Sequence, residues 1–212
     1  VPIEEPLAQQ ELARTNLEKL RQTAPQWYPV AAYLDKKGFT LYRNTQLHYL
    51  PTGEAYLDDM LTVLDTAQRF IFVEYFIMAE GQIWDRLSEI LCRKSRQGVE
   101  VKLIFDDFGS MMRMPNEKVE ELQDAGVEVK VFNPVHHYVN RLYFNYRDHR
   151  KITCVDGDVA YTGGANIADE YANLIERFGY WKDCGVRLEG EGAWGLTREF
   201  LQMWERMLRI SP

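Results

Sequence analysis

The sequence predicts an α/β fold, a mixed and largely parallel sheet flanked by helices, with an N-terminal helix added in front. Three observations carry that expectation. From residue 69 onward, near-continuous apolar runs alternate with amphipathic stretches, and glycines close the amphipathic stretches. An Asp-Gly pair at 156–157 later separates two further apolar runs. Parallel strands need helical crossovers, which the alternation supplies, and Asp-Gly between strands signals a hairpin.

The elements follow in order. Residues 4–23 place Leu7, Leu12, Leu17 and Leu20 on a ragged helical stripe, ended by Pro25 and Pro29. Residues 1–38 are therefore expected to form an N-terminal helical segment and 39–212 the main domain. A strand is expected over 39–50, then a turn at Pro51-Thr52-Gly53 and a helix to residue 67. Residues 69–78 hold Phe70, Ile71, Phe72, Val73, Tyr75, Phe76 and Ile77, the pattern of a strand buried on both faces. A helix over 83–97, with Trp84, Leu87, Ile90 and Leu91 on one side, closes at Gly98. A strand at 99–105, a helix at 115–124 stopped by Gly126, and a strand at 127–132 complete the βα rhythm. Strands at 149–155, 159–162 and 180–188 and a helix at 194–210 follow.

Composition narrows the class. The chain has 212 residues, 25 Lys plus Arg against 32 Asp plus Glu, a net charge of −7, and 46% hydrophobic residues. That excludes a disordered tail, a collagen-like chain and a disulfide scaffold. No run approaches the roughly 18 apolar residues of a membrane span, and no signal peptide opens the chain. Cys92, Cys154 and Cys184 are odd in number and far apart, as expected of reduced thiols. The acidity counts against a nucleic-acid partner, because phosphate backbones are bound by local cation excess.

The chemistry concentrates in His149-Arg150-Lys151-Ile152-Thr153-Cys154-Val155-Asp156-Gly157-Asp158 and Gly163-Gly164-Ala165-Asn166. On a strand, His149 and Lys151 point to one face roughly 6.6 Å apart, while Ile152 and Cys154 alternate into apolar packing. A two-residue Asp156-Gly157 loop sets His149 opposite Gly164 and Asn166 opposite Arg147, and a one-residue change in loop length brings Asn166 nearer. The set suits a phosphodiester. A neutral imidazole is a competent nucleophile, Lys151 offsets phosphate charge, and Asn166 donates to a non-bridging oxygen. Gly163 and Gly164 allow backbone N–H groups close to the anion, and a helix opening at Ala165 would add its N-terminus. Fixed donors of this kind require no metal and no cofactor.

His-x-Lys, four residues, Asp, six residues, Gly-Gly-x-Asn resembles the signature of the phospholipase D superfamily. Val73-Glu74-Tyr75-Phe76-Ile77, Phe105-Asp106-Asp107-Phe108-Gly109-Ser110, Asn145-Tyr146-Arg147-Asp148 and Ala168-Asp169-Glu170-Tyr171 are similar to bacterial cardiolipin synthases, with the similarity running from about residue 40 to the C-terminus. The resemblance implies a phospholipase D-like fold and a two-step transfer. A histidine displaces an alcohol from a phosphodiester, and the phosphatidyl group then passes to a second alcohol. For the synthases, two phosphatidylglycerols become cardiolipin and glycerol. By position, His149 would be the nucleophile or its acid–base counterpart, Lys151 and Asn166 would hold phosphate with Gly164 beside them, and Asp183 would orient the histidine. Asp156 matches the motif acid, chiefly a structural turn former.

Family synthases carry two such motifs, whereas His48, His136 and His137 lack His-x-Lys context. A second half is therefore expected, in cis or by homodimerisation as in small nucleases of the superfamily. Val1 at the start and Ser211-Pro212 at the end suggest one half of a longer enzyme. That complete enzyme is expected at the cytoplasmic face of the cell membrane through segments outside this sequence, the present chain being soluble. Two alternatives stay open: a homodimeric phosphodiesterase or nuclease, and a non-catalytic anionic-lipid-binding module.

Other candidates are weaker. The aromatic and basic stretch 136–147 reads equally as a lipid-contacting segment and as a loop packed on the other half. His136 and His137 lack zinc-site spacing. Asp106 and Asp107 read as a solvated strand end. Glu74 in an apolar strand needs a partner. Asp156-Gly157-Asp158 reads as a turn, not a calcium loop.

Overall fold

The computed structural model describes residues 7–135 and 145–210. Among these, seven strands form one sheet: β1 (Thr45–Leu50), β2 (Phe70–Tyr75), β3 (Glu100–Asp106), β4 (Glu128–Phe132), β5 (Lys151–Val155), β6 (Val159–Gly163) and β7 (Gly185–Gly190), in the order β1-β7-β6-β5-β2-β3-β4. The helices are α1 (Leu7–Thr23), α2 (Tyr28–Lys36), α3 (Gly53–Leu64), α4 (Gln82–Arg96), α5 (Asp107–Ser110), α6 (Asn116–Asp124) and α7 (Ala193–Ile210).

The sheet is mixed α/β as expected, but its balance differs. Only β2–β3 and β3–β4 are parallel, while β1–β7, β7–β6, β6–β5 and β5–β2 are antiparallel. The helical crossovers end at β4. Beyond it the chain returns as hairpins, which pair antiparallel.

Alternation along β2 divides the core. Ile71, Val73 and Tyr75 pack with Tyr56, Leu57, Met60, Leu87 and Leu91 of α3 and α4. Phe70 and Phe72 pack on the opposite face with Ile152, Cys154, Phe200 and Trp204 against α7. Each such side chain contributes about 1.5–3 kcal/mol on burial. The expected inward direction of Ile152 and Cys154 holds.

Local chemistry sets the helix ends. Gly98 (φ 89°) and Gly126 (φ 93°) take left-handed backbone just beyond α4 and α6, where Val99 N–H donates to Lys94 O at 3.1 Å and Val127 N–H to Leu122 O at 3.0 Å. Thr52 caps α3 by accepting from Ala55 N–H at 3.1 Å.

The N-terminal segment departs from expectation. Pro25 opens a short 3-10 turn, Pro25–Trp27, and Pro29 sits in the first turn of a second helix, α2. Its lack of an N–H costs nothing there, so it starts a helix rather than ending one. Residues 39–44 are not strand either; β1 begins at Thr45. Asn16 of α1 donates to Leu41 O at 3.0 Å, tying the segment to the domain. Among the described residues no helix is long and apolar enough to cross a membrane. The expected linker lies mostly at 136–144, outside the described residues, as do residues 1–6 and 211–212.

Candidate active site

The site lies where β5 begins. Residues 145–150 run extended into the strand, and the register Tyr75↔Lys151 places them beside the end of β2. β5 and β6 pair Val155 with Val159 and Cys154 with Ala160. The loop is therefore Asp156-Gly157-Asp158, three residues rather than two. Asp156 (φ 55°) and Gly157 (φ 78°) are both left-handed, and β6 is shifted by one residue from the two-residue register.

Three functional side chains converge on the segment after β2. The exposed His149 imidazole stacks on Phe76, centroids 3.9 Å apart and planes 20° apart. Lys151 Nζ stands 5.5 Å from the centre of the same ring and donates to His149 O at 2.7 Å. Asn166 is buried; its Oδ1 accepts from Ile77 N–H at 3.0 Å and its Nδ2 donates to Tyr171 OH at 2.9 Å. One amide hydrogen of Asn166 remains for a ligand. Burial pushes the Lys151 ammonium below its ordinary range, against the charges of Asp148 and Asp183 that hold it up.

The remaining candidates take other positions. Asp183 directs Oδ1 to Cys184 N–H (2.8 Å) and Oδ2 to Trp181 Nε1–H (3.2 Å). Its charge reaches Lys151, but its hydrogen bonds go to these two groups rather than to the His149 ring. Gly164 N–H donates to Cys184 O at 3.1 Å, so it serves the sheet instead of an anion. What the glycines provide is space: a Cβ on Gly164 would meet Asp183 Oδ1 at 2.3 Å, and one on Gly163 would meet Cys184 O at 2.7 Å. No helix opens at Ala165; the chain forms a bridge between Ile167 and Met78 and then a 3-10 turn at Asp169–Ala172.

Asp156 belongs to the other end of the hairpin. Its carboxylate accepts from Arg69 N–H (2.7 Å), Phe70 N–H (2.8 Å) and Gln68 N–H (2.8 Å). Seven residues from His149 along extended chain, roughly 20 Å, it has no access to the reacting centre. These bonds fit the expected reading of Asp156 as a turn former.

Several supporting residues escaped the sequence. Asp106 is buried, not solvated: its Oδ2 accepts from Asp148 N–H at 2.9 Å and its Oδ1 from Phe108 N–H at 2.9 Å, with Arg147 Nη1 at 3.5 Å. Burial raises its pKa above the usual carboxylate value. Arg150, between the two chemical residues, points to the other face, where its Nε donates to Glu74 Oε1 at 2.7 Å. Strand alternation around His149 and Lys151 could have found Arg150, and the expected need of Glu74 for a partner pointed to the same pair. Nothing in the residue pattern marked Phe76 as a platform. Phe108 of α5 and Met112, Tyr146, Ile175, Phe178 and Tyr180 of the connecting segments are large apolar side chains left exposed.

The arrangement can seat an anion against an imidazole with one ammonium and one amide donor. Among the described residues it offers no second imidazole: the other described histidine, His48, sits on edge strand β1, 3.6 Å from Glu189.

Comparison with known proteins gives the family of the chain. The family model described as "Cardiolipin synthase, PLD-like domain" matches residues 60–204. An uncharacterized protein of Streptococcus mutans is 45% identical over 89% of this chain and 41% of its own length. Cardiolipin synthases of Oceanobacillus iheyensis and Geobacillus kaustophilus are 34% and 37% identical over 79% and 77% of the chain, but over 34% and 32% of theirs. The chain thus spans about a third to two-fifths of the length of these relatives. Among solved structures, Nuc from Salmonella typhimurium, a phospholipase D family member, superposes with a TM-score of 0.52 at 18% identity, covering 78% of this chain and 94% of that one. Phosphatidylserine synthase from Haemophilus influenzae gives 0.56 at 14% identity, covering 78% and 37%. These two likenesses concern the fold.

Proposed function

We propose, since the chain belongs to the cardiolipin synthase family of phospholipase D-like domains, that it contributes one half of a phosphatidyltransferase active site. The donor is an anionic phospholipid, phosphatidylglycerol, and the product is cardiolipin. The observation that carries this reading is the exposed His149 imidazole on Phe76, with Lys151 against the same ring and Asn166 anchored one residue further on.

In the proposed reaction, an imidazole nitrogen of His149 attacks phosphorus and forms a P–N bond. The P–O bond to the headgroup glycerol breaks, and that oxygen takes a proton from a general acid on the second half. A hydroxyl of a second phosphatidylglycerol then attacks the phosphohistidine, passing its proton back to the group on the second half as the P–N bond breaks and His149 returns to its starting state. Lys151 and the remaining Asn166 amide hydrogen stabilise the charge that builds on the non-bridging oxygens. Because Asp183 is occupied by Trp181 and Cys184, its part in this scheme is its charge on Lys151 rather than a bond to the imidazole. Histidine acting unprotonated suits the nucleophile's role.

Replacing His149 by Ala in the full-length protein is expected to abolish cardiolipin formation from phosphatidylglycerol. Lipid extracts with an unchanged cardiolipin content would refute the proposal.

A further inference from the structure

Beneath the strand that carries His149 lies a cluster that the transfer chemistry does not use. Glu74, at the end of β2, and Asp148, directly before the histidine, are both buried. Each has one carboxyl oxygen, Glu74 Oε2 and Asp148 Oδ2, without a hydrogen-bond partner in the buried interior. Their other oxygens are occupied, Glu74 Oε1 by Arg150 Nε–H at 2.7 Å and Asp148 Oδ1 by Arg150 N–H at 3.1 Å. Two ionised carboxylates held by the same Arg150 guanidinium, with one buried acceptor each unmet, would be costly. One proton held between them satisfies both.

We propose that Glu74 and Asp148 share a single proton, as a carboxyl–carboxylate pair, and that this pair positions His149. Both are positioning residues that act through the backbone; neither touches substrate. The proposed function above supplies the reaction on which the second clause rests.

The surroundings favour one proton, not two or none. Burial lifts the Glu74 pKa well above its ordinary value, the Asp148 carboxylate adds to the lift, and Arg150 opposes it. Arg150 supplies one positive charge and also reaches Glu199 of α7 at 3.4 Å. On the neighbouring strand, Asp106 is engaged by Arg147 and by Asp148 N–H. Further along β3, Lys102 is occupied by Glu100 and Glu128. Cys154 of β5, on the same face, is a buried thiol whose pKa is pushed up to about 12. Because Glu199 shares the same guanidinium, one negative charge on the pair leaves less buried charge unbalanced than two would.

The mechanical consequence follows from alternation. His149 and Lys151 face the site while Arg150, between them, is pinned to Glu74. Asp148 is fixed through its side chain to Arg150 and through its N–H to Asp106. The backbone N–H groups on either side of the imidazole, those of Asp148 and Arg150, are thus each tied to a buried acid.

The test uses the whole chain for spectroscopy and the full-length protein for rates, with Glu74→Gln, Glu74→Ala and Asp148→Asn. Infrared spectra at neutral pH are expected to show a protonated carboxyl in the wild type that Glu74→Gln and Asp148→Asn each remove, since either amide can donate to the carboxylate left behind. An acid held protonated in the fold stabilises it fully below the ordinary glutamate range, and that contribution is lost as pH climbs through the raised value. The Tm of the wild type should therefore fall with rising pH above about 5, and that of Glu74→Gln should fall less. A wild type without the protonated band, or a band that survives both amide substitutions, overturns the shared proton.

With phosphatidylglycerol vesicles, Glu74→Ala is expected to lower kcat by about 10- to 100-fold at unchanged KM, as misplaced reactive groups do, and Glu74→Gln to recover most of the loss. Equal losses in Ala and Gln, or a loss confined to KM, overturn the positioning role. The infrared and unfolding readouts need no turnover, so they separate failure of the shared proton from failure of the transferase reading, which His149→Ala tests.

Discussion

The imidazole of His149 lies nearly parallel to the ring of Phe76, 3.9 Å away between centroids, so the residue just after β2 fixes the orientation of a side chain on the segment leading into β5. The contact turns an exposed, rotatable imidazole into one with a preferred plane. Stacked rings of this type contribute about 0.5–1.5 kcal/mol beyond their burial. Phe76→Ala is expected to lower kcat by about 2- to 10-fold, and Phe76→Tyr to retain most of the rate. Steady-state kinetics on phosphatidylglycerol by the full-length protein would check this; equal activity in Phe76→Ala would leave the stacking without consequence.

Asp156 is expected to matter for folding rather than for chemistry. Its carboxylate accepts from the N–H groups of Gln68, Arg69 and Phe70, and removing it strands three donors at the start of the central strand. Asp156→Ala should cost about 2–4 kcal/mol in urea unfolding. Turnover per folded molecule should fall far less than in His149→Ala.

Gly163→Ala tests close approach of β6 and β7. A Cβ there meets Cys184 O at 2.7 Å and Gly185 Cα at 2.8 Å, both backbone atoms that cannot swing aside. A loss of about 1–3 kcal/mol is expected from such overpacking, read as a lower urea midpoint with the m value unchanged.

The pH dependence of anion binding should report Lys151. Burial disfavours its charged form, so it loses its proton at lower pH than a free lysine does. Affinity for inorganic phosphate is therefore expected to decline as pH rises, beginning below the ordinary lysine range. Lys151→Met should bind weakly and without that decline. Phosphorus NMR titrations across the range would show it.

How much was legible in the sequence depended on how local the signal was. The strand–turn–strand unit holding His149, Lys151 and Asn166 could be read because strand alternation and an Asp-Gly turn act over a few residues. The loop length could not, because the left-handed backbone of Asp156 is offset by three N–H groups at and just before the start of β2, 86 to 88 residues away. Pro29 was misread because proline both ends a helix and suits its first turn, and only the following residues decide. Phe76 and Asp106 drew no or the wrong assignment because their roles come from strand neighbours: Phe76 lies beside His149 through β2–β5 pairing, and Asp106 is buried by the segment at 147–148. Asp183 was expected to orient the histidine, but Trp181 Nε1–H and Cys184 N–H take its oxygens and its charge acts on Lys151, in a way residue order does not announce.

The most direct test of His149 as nucleophile is to mix the full-length protein with phosphatidylglycerol labelled in its phosphorus, quench in alkali during turnover, and map the label by mass spectrometry. The account predicts a phosphorus adduct on the His149 imidazole that disappears in His149→Ala. Label on another residue, or an adduct that persists in His149→Ala, would contradict it.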